Sequence, residues 1–403
     1  MKRILIASIV IASLLSACQT QGGGGDKVRI GVFMSLTGTT ANFGISSVNG
    51  IKMAADEVNS AGGINGKQVE LLVQDDRSDA SEAATIVTKF VTQDQVHGIL
   101  GEVASSRSIA AAPIAQNAHV PMLTPSSTNP EVTKKGDYIF RSCFIDPVQG
   151  AAIAQFAAKS LNAKTAAIMV DRKNDYSTGL EKYINETFTK LGSKIVAVQS
   201  YQEGDQDFNA QLTSLKGSNP EVIFVPGYYN DVGLIAKQAR DKGITVPLVG
   251  GDGWDSVQLY AIGGSALNGS YFTNHYSPYD TDPKVQKFVG DYKSRYGAIP
   301  DALAATAYDA ARIMFDAIKR SKSLNGPDIR DALAATKDFP GITGTVTFNQ
   351  QRDAVKPIVM IEIKDGGTYA VKERVTVEGA AVPTAANTAP NAPAAAPAKT
   401  VNQ

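Results

Sequence analysis

Residues 69–101 read VELLVQDDRSDASEAATIVTKFVTQDQVHGILG, and their pattern decides the fold. Val69, Leu71, Leu72 and Val73 form a short apolar run bounded by a polar turn, which predicts a buried strand over 69–73. Ala83, Ile86, Val87, Phe90 and Val91 then recur at helical spacing. Ile99 and Leu100 open the next strand, and Gly101 closes the unit 32 positions after Val69. A second unit of the same length runs from Ile195 to Gly227. Its end, PEVIFVPG, reads like DQVHGILG in the first. The recurrence points to two like-built α/β lobes. As sequence identity it is weak, and a chance likeness among ordinary strand–helix–strand units stays open.

The same rhythm extends in both directions. Strands are expected at 28–34, 120–123, 166–170, 222–225 and 246–249. Helices are marked by Val48, Ile51, Ala55 and Val58, by residues 108–116, by Leu180, Ile184, Phe188 and Leu191, and by Val232, Ile235 and Ala239. Repeated strand–helix–strand units imply mostly parallel sheets covered by helices. Residues 285–296, 302–322 and 329–336 add helices. GTVTFN (344–349) reads as a strand, and residues 356–371 as a hairpin turning at Asp365-Gly366-Gly367. Two lobes followed by returning segments require the chain to cross between them more than once.

The composition is that of an ordinary globular chain, 43% hydrophobic and 19% charged over 403 residues, with zero formal charge. Nothing in that balance calls for a nucleic acid or an anionic membrane surface. The N-terminus is different. Lys2 and Arg3 precede an apolar run over 4–15 that is too short to span a bilayer comfortably. LSAC (15–18) follows and resembles the bacterial lipobox, in which the cysteine, here Cys18, is lipidated and becomes the new N-terminus. The alternative is an ordinary cleaved signal peptide. Without Lys2 and Arg3 the chain holds 37 basic against 39 acidic residues, about −2. With Cys18 lipidated, Cys143 has no partner for an intrachain disulfide. GGGG (22–25) is a flexible tether, and the Ala/Pro-rich residues 380–403 cannot bury a core.

In open α/β sheets, ligands sit beyond the C-terminal ends of the strands. Two loops there, GEVASSRS (101–108) and TPSSTNPE (124–131), are rich in hydroxyls and lead towards helices. They offer donors to a carboxylate or phosphate, or simply cap the helices. The second half offers Tyr176 in DRKNDYSTG, Tyr228 and Tyr229 in PGYYND, and Asp252, Trp254 and Asp255 in GGDGWDS. A carboxylate among aromatics suits an ammonium group. A ligand with both charges on one carbon is an α-amino acid; equally, Asp252 reads as a turn aspartate between glycines.

Residues 31–79, GVFMSLTGTTANFGISSVNGIKMAADEVNSAGGINGKQVELLVQDDRSD, resemble the start of the mature leucine/isoleucine/valine-binding proteins of ABC importers. The likeness extends from about residue 27 to about 371 and is most specific in this block and in TPSSTNPE. It implies an α/β fold of two Rossmann-like lobes with parallel-sheet cores joined by a three-crossover hinge, the type I periplasmic binding protein architecture. The expected organisation is a signal peptide at 1–17, a lipidated cysteine and tether at 18–26, one lobe from 27–146 with 275–350, the other from 147–274 with 351–379, and a tail at 380–403. Carried over by position, the resemblance makes Ser105 and Thr128 the first-lobe contacts to the ligand's α-carboxylate and ammonium, with Ser126 adding a backbone contact. Asp252 becomes the acidic partner of the ammonium, where the family often has glutamate. Tyr176 and Tyr228 become aromatic closers, Phe43 an aromatic wall, and Val103 and Ala104 the lining of the side-chain pocket, with Trp254 nearby. Ser78 and Ala104 stand where some members carry a first-lobe disulfide.

The resemblance implies a monomeric, extracytoplasmic, lipid-anchored solute-binding protein. It would capture a branched-chain or other hydrophobic amino acid for partner permease and ATPase subunits, with no cofactor, metal or nucleic acid. Other readings on the same fold are a ligand-presenting sensor, or a binder of amides, urea or aromatic acids. A lipid-anchored hydrolase is the enzymatic alternative. Against it, there is no G-x-S-x-G, and none of His97, His119 and His275 sits after a strand in a catalytic-looking turn. Paired histidines and C-x-x-C are missing from the sequence. QDDRSD offers Asp75, Asp76 and Asp79 to calcium, or else a solvated loop and helix cap.

Overall fold

The computed structural model describes residues 27–375. The signal segment, Cys18, the glycine tether and the tail at 380–403 lie outside the described residues. Five strands form the first sheet: β1 (Val28–Met34), β2 (Val69–Asp75), β3 (Gly98–Leu100), β4 (Met122–Thr124) and β5 (Ile139–Arg141). Their order is β2-β1-β3-β4-β5, and every pairing is parallel. The second sheet contains β6 (Thr165–Asp171), β7 (Lys194–Tyr201), β8 (Val222–Phe224), β9 (Leu248–Gly250) and β10 (Tyr271–Asn274). Strands β11 (Phe339–Gly341) and β12 (Gly344–Val346) form a separate small hairpin, while β13 (Ile358–Ile363) and β14 (Tyr369–Val375) complete the second sheet. The order there is β14-β13-β10-β9-β8-β6-β7. Strands β6 to β10 pair in parallel, and β13 and β14 are added antiparallel at the edge.

Two parallel sheets interleaved with helices make two α/β lobes. Burial explains the strand composition. The three-residue strands β3, β4, β5, β8 and β9 are buried throughout, and all but β4 and β5, which end in Thr124 and Arg141, read as short runs without a polar side chain. At the outer edge, β7 alternates exposed and half-buried residues. Strand β5, strand β10 and the β11 partner of the expected 344–349 strand were not legible in the sequence. Several other boundaries move by one to three residues, as where 246–249 becomes Leu248–Gly250 and 329–336 becomes Gly326–Ala334.

Helices 302–320 and 41–60 pack closely in the first lobe. Gly50 makes the approach possible: a Cβ there would lie 2.2 Å from the carbonyl oxygen of Ala304. Nearly the whole of Ala302–Arg320 is buried, which suits its run of alanines, and Asp301 caps its Ala304 N–H at 2.9 Å. The chain passes between lobes after β5, after β10 and between β12 and β13. Arg141, at the first crossover, pairs with Asp353 of the third at 2.5 Å and donates to the carbonyls of Ser127 and Asn129 at 2.7 and 2.9 Å. The crossovers are thereby tied to one of the hydroxyl-rich loops. Cys143 is buried, and burial pushes its thiol pKa up. Among the described residues, no helix is long and apolar enough to cross a membrane.

Candidate functional site

The C-terminal ends of both parallel sheets face one cleft, and the loops after them meet there. Phe43, Val103, Ser126 and Leu303 from the first lobe, with Tyr176, Tyr228, Asp252 and Gly253 from the second, line one small cavity. The space left between them is on the order of a single water molecule. The rings are mutually braced. Tyr176 and Tyr228 stack with centroids 5.2 Å apart, and Phe43 meets Tyr228 edge-on at 5.4 Å. The Tyr176 hydroxyl accepts from the Gly253 N–H at 3.1 Å. A Cβ on Gly253 would fall 2.8 Å from the Tyr228 ring, so the stack needs glycine there.

Asp252 opens a single 3₁₀ turn after β9, and it is almost wholly buried. Its Oδ1 accepts from Gln149 Nε2 at 2.7 Å, and its Oδ2 lies 3.0 Å from His275 Nε2. The His275 ring stacks on Phe144 at 3.9 Å. His275, which the sequence pattern does not place in a turn after a strand, follows β10 directly and is a partner of the cleft carboxylate. Gln149 and Asp146, both on helix Asp146–Gln155, were also missed, since a helix start carries no special motif.

The hydroxyls of the two first-lobe loops divide by use. Thr124 Oγ1 donates to the Glu102 carbonyl and accepts from the N–H groups of Ser126 and Ser127. Ser127 and Ser108 bond to one another and to the Glu102 carbonyl. Ser126 Oγ reaches Thr306 at 2.7 Å. These four knit the loops together and to helix Ala302–Arg320. Ser105 and Thr128 differ. Ser105 Oγ accepts from the Asn129 N–H at 3.2 Å, which leaves its own hydrogen to give, and Thr128 Oγ1 has no partner although buried. Thr128 sits beside the Asp146 carboxylate, neither group closing a hydrogen bond. Burial pushes the Asp146 pKa up to about 8, so at neutral pH it is largely protonated.

The cleft is also clamped by direct contacts between lobes. Arg107, buried in the first lobe, lies 3.6 Å from Glu102 and 3.4 Å from Glu203 of the second. Thr39 Oγ1 donates to Glu203, and the Ser106 hydroxyl accepts from the Asp175 N–H at 2.9 Å. Asn129 Nδ2 donates to the Asp175 carbonyl at 2.7 Å. The lobes are closed on one another.

The family model for periplasmic binding proteins matches residues 27–368. The chain belongs to the periplasmic binding protein family. Among solved structures it is similar to a leucine-binding protein, LivK, of Thermotoga maritima, at 40% identity and a TM-score of 0.83 over 86% of this chain and 98% of that one. A branched-chain amino acid transporter substrate-binding protein, LivJ, of Streptococcus pneumoniae, solved with isoleucine, is 36% identical with a TM-score of 0.81, covering 87% and 99%. A leucine-, isoleucine-, valine-, threonine- and alanine-binding protein of Pseudomonas aeruginosa is 29% identical over 87% of this chain and 92% of its own length.

Within this periplasmic binding protein, the expected site residues do not all reach the cavity. Phe43, Ser126, Tyr176, Tyr228 and Asp252 do, as does Val103. Ser105 and Thr128 are buried in the first-lobe loops and are not among its lining residues. Ala104 is not among the lining residues; its backbone N–H donates to the carboxylate of Glu102 within its own loop. Trp254 is also turned away. Its indole N–H donates to the Val225 carbonyl at 2.9 Å and its ring stacks on Phe272, so it fills the core beneath the sheet end. Leu303 lines the cavity unannounced, brought there by the returning helix. The carboxylates of QDDRSD are used internally: Asp75 by Leu36 and Thr37, Asp76 by Ser35, and Asp79 as the cap of Glu82.

Proposed function

We propose that this protein is the solute-capturing subunit of an ABC importer, and that its solute is a branched-chain or similar hydrophobic α-amino acid. The observation that carries the reading is the pairing of groups across the cleft. Ser105 and Thr128 keep hydroxyl capacity unspent in the first-lobe loops, while Asp252 and the Tyr176–Tyr228 stack line the cavity from the second lobe. Hydroxyls and loop N–H groups suit a carboxylate; Asp252 suits an ammonium group; Phe43, Val103 and Leu303 suit an apolar side chain. With Asp146 largely protonated, Asp252 offers the charge that balances one ammonium. The likeness to the isoleucine-bound LivJ supports the same ligand class.

The action is capture. With room for about one water between the closed lobes, an amino acid enters only as they part, and closure then brings both half-sites onto it. His275 and Asp252 resemble two members of a catalytic triad, yet His275 Nδ1 has no hydrogen-bond partner and no hydroxyl or thiol is bonded to the ring among the described residues. The protein works outside the cytoplasm, held to a membrane through Cys18, as a monomer that hands its solute to separate permease and ATPase subunits. Calorimetry against leucine, isoleucine, valine, phenylalanine, urea and benzoate tests the reading. Tight binding of an aliphatic amino acid is expected; a preference for urea or benzoate over every amino acid would refute it.

A further inference from the structure

A second cavity, of about 250 Å³, opens on the hinge side of the molecule and shares no lining residue with the amino-acid cleft. Its walls come from both lobes and the crossover between them: Tyr260 and Tyr369 from the second lobe, Tyr276 and Tyr279 from the segment after β10, and Ile299 from the first. Its rim is unusually apolar for a surface. Val257 is 60% exposed, Tyr279 56% and Ile299 39%. Two carboxylates, Asp255 and Asp301, line it as well.

Neither carboxylate is paired with a lysine or arginine among the described residues. Asp255 Oδ2 takes hydrogen bonds from Asn274 Nδ2 at 2.9 Å and the Ala302 N–H at 2.7 Å, which leaves Oδ1 with none. Asp301 Oδ1 takes the Ser46 hydroxyl at 2.5 Å and the Ala304 N–H at 2.9 Å. Burial pushes both pKa values up, with the Asp252 charge adding to the shift of Asp255 and the Asp255 charge to that of Asp301; both acids also act on Tyr369. Buried charges are ordinarily paired. Here two acids share an aromatic cavity with a solvent-facing mouth; burial favours their protonated forms, and a cation set between them would restore the charged form and supply the missing partner. Aromatic faces over carboxylates are the chemistry that holds an organic ammonium group.

We propose that this cavity is a second ligand site, for a small organic cation with an apolar body, its ammonium group set between Asp255 and Asp301 and its body against the tyrosines. Because the walls come from both lobes, an occupant binds the closed form better and favours it. The two sites also meet at one dipeptide after β10: Asn274 holds Asp255, and His275 holds Asp252.

The test uses 2-phenylethylamine as probe, with 2-phenylethanol as its uncharged analogue, titrated calorimetrically into the full-length protein at neutral pH. The amine should bind and the alcohol should bind at least about tenfold more weakly. Asp255→Asn and Asp301→Asn keep the backbone-accepting oxygen but lose the charge; each should weaken the amine about tenfold or more, whereas Asp252→Asn should leave it within about twofold. The third variant separates this cavity from the amino-acid cleft, whose own reading stands or falls independently. No amine binding at millimolar concentration, equal binding of amine and alcohol, or loss of amine binding in Asp252→Asn alone overturns the proposal. Should one hinge variant fail to fold, the other and the amine–alcohol comparison still decide it.

Discussion

Replacing Asp252 with asparagine removes one charge at the centre of the cleft and almost no volume. The wild-type carboxylate has about four acceptor positions; Gln149 and His275 use two, at 2.7 and 3.0 Å, which leaves two for an ammonium group. The asparagine amide has one acceptor oxygen, and its NH₂ must face either the Gln149 amide or the His275 ring. A bound ammonium then loses its counter-charge in a site that excludes water. Losing one partner of a desolvated, hydrogen-bonded charge pair costs about 2–5 kcal/mol. Because Gln149 and His275 already draw on the wild-type carboxylate, the lower half of that range applies, about 3 kcal/mol, or roughly 150-fold in Kd. The ligand-free protein should lose less than the complex, since only one of the hydrogen bonds to Gln149 and His275 is disturbed. Calorimetry with isoleucine reads the affinity and thermal unfolding reads the stability. An affinity within about threefold of wild type, or a loss fully matched by a fall in ligand-free stability, would refute the assignment of Asp252 to the ammonium.

Glu203→Gln should weaken amino-acid binding about fivefold by removing the charge that Arg107 meets only when the lobes close, and small-angle scattering of the ligand-free protein should show a larger radius of gyration; no change in either measurement counts against the clamp. Gly50→Ala drives a Cβ to 2.2 Å from a backbone oxygen, so it should cost about 1–3 kcal/mol in urea denaturation without altering which ligands bind. The raised pKa of Asp146 means that the folded state holds its proton from the ordinary carboxylate range up to about pH 8, so this group's contribution to stability falls as pH rises across that window. Asp146→Asn should therefore gain stability relative to wild type on going from pH 5 to pH 8, and a difference independent of pH would contradict the assignment. Cys18→Ser should move the protein from the membrane to the soluble fraction with its ligand affinity intact; persistence at the membrane would place the anchor elsewhere.

The strand–helix alternation was legible because burial on both faces forces runs such as VRIGVFM and TAAIMVD into the sequence. Strand β5 escaped notice because IFR ends in an arginine, yet Arg141 is wholly buried and spends its guanidinium on Asp353 and two loop carbonyls. Composition alone cannot show that such a charge is satisfied internally. In the cleft, the residues read from strand-end loops reached the cavity where the loop turned them forward. A single 3₁₀ turn sends Asp252 towards the cleft and Trp254, two positions on, back into the core. Periodicity does not resolve a turn that short. Leu303, Gln149 and His275 arrive from a returning helix, a helix start and a crossover, so only tertiary structure brings them together.

The hinge is more than a connection. At the end of β10, Asn274 and His275 hold two acids of the same loop, Asp255 and Asp252. Asp255 in turn accepts from the Ala302 N–H, so a second-lobe carboxylate helps cap a first-lobe helix. That helix supplies Leu303 to the cavity wall and Thr306 to Ser126 in the hydroxyl loop. Arg141 holds the same loop from the first crossover. Each half-site is thus fixed to the hinge by buried hydrogen bonds, while the contacts between lobes at the cleft mouth involve side chains such as Glu203 that are partly exposed. Opening therefore breaks the weaker, better-hydrated set and leaves the buried set intact. The lobes can part as rigid bodies without disordering the groups that recognise the ligand, and the ligand itself supplies the differential contacts that bring them back together.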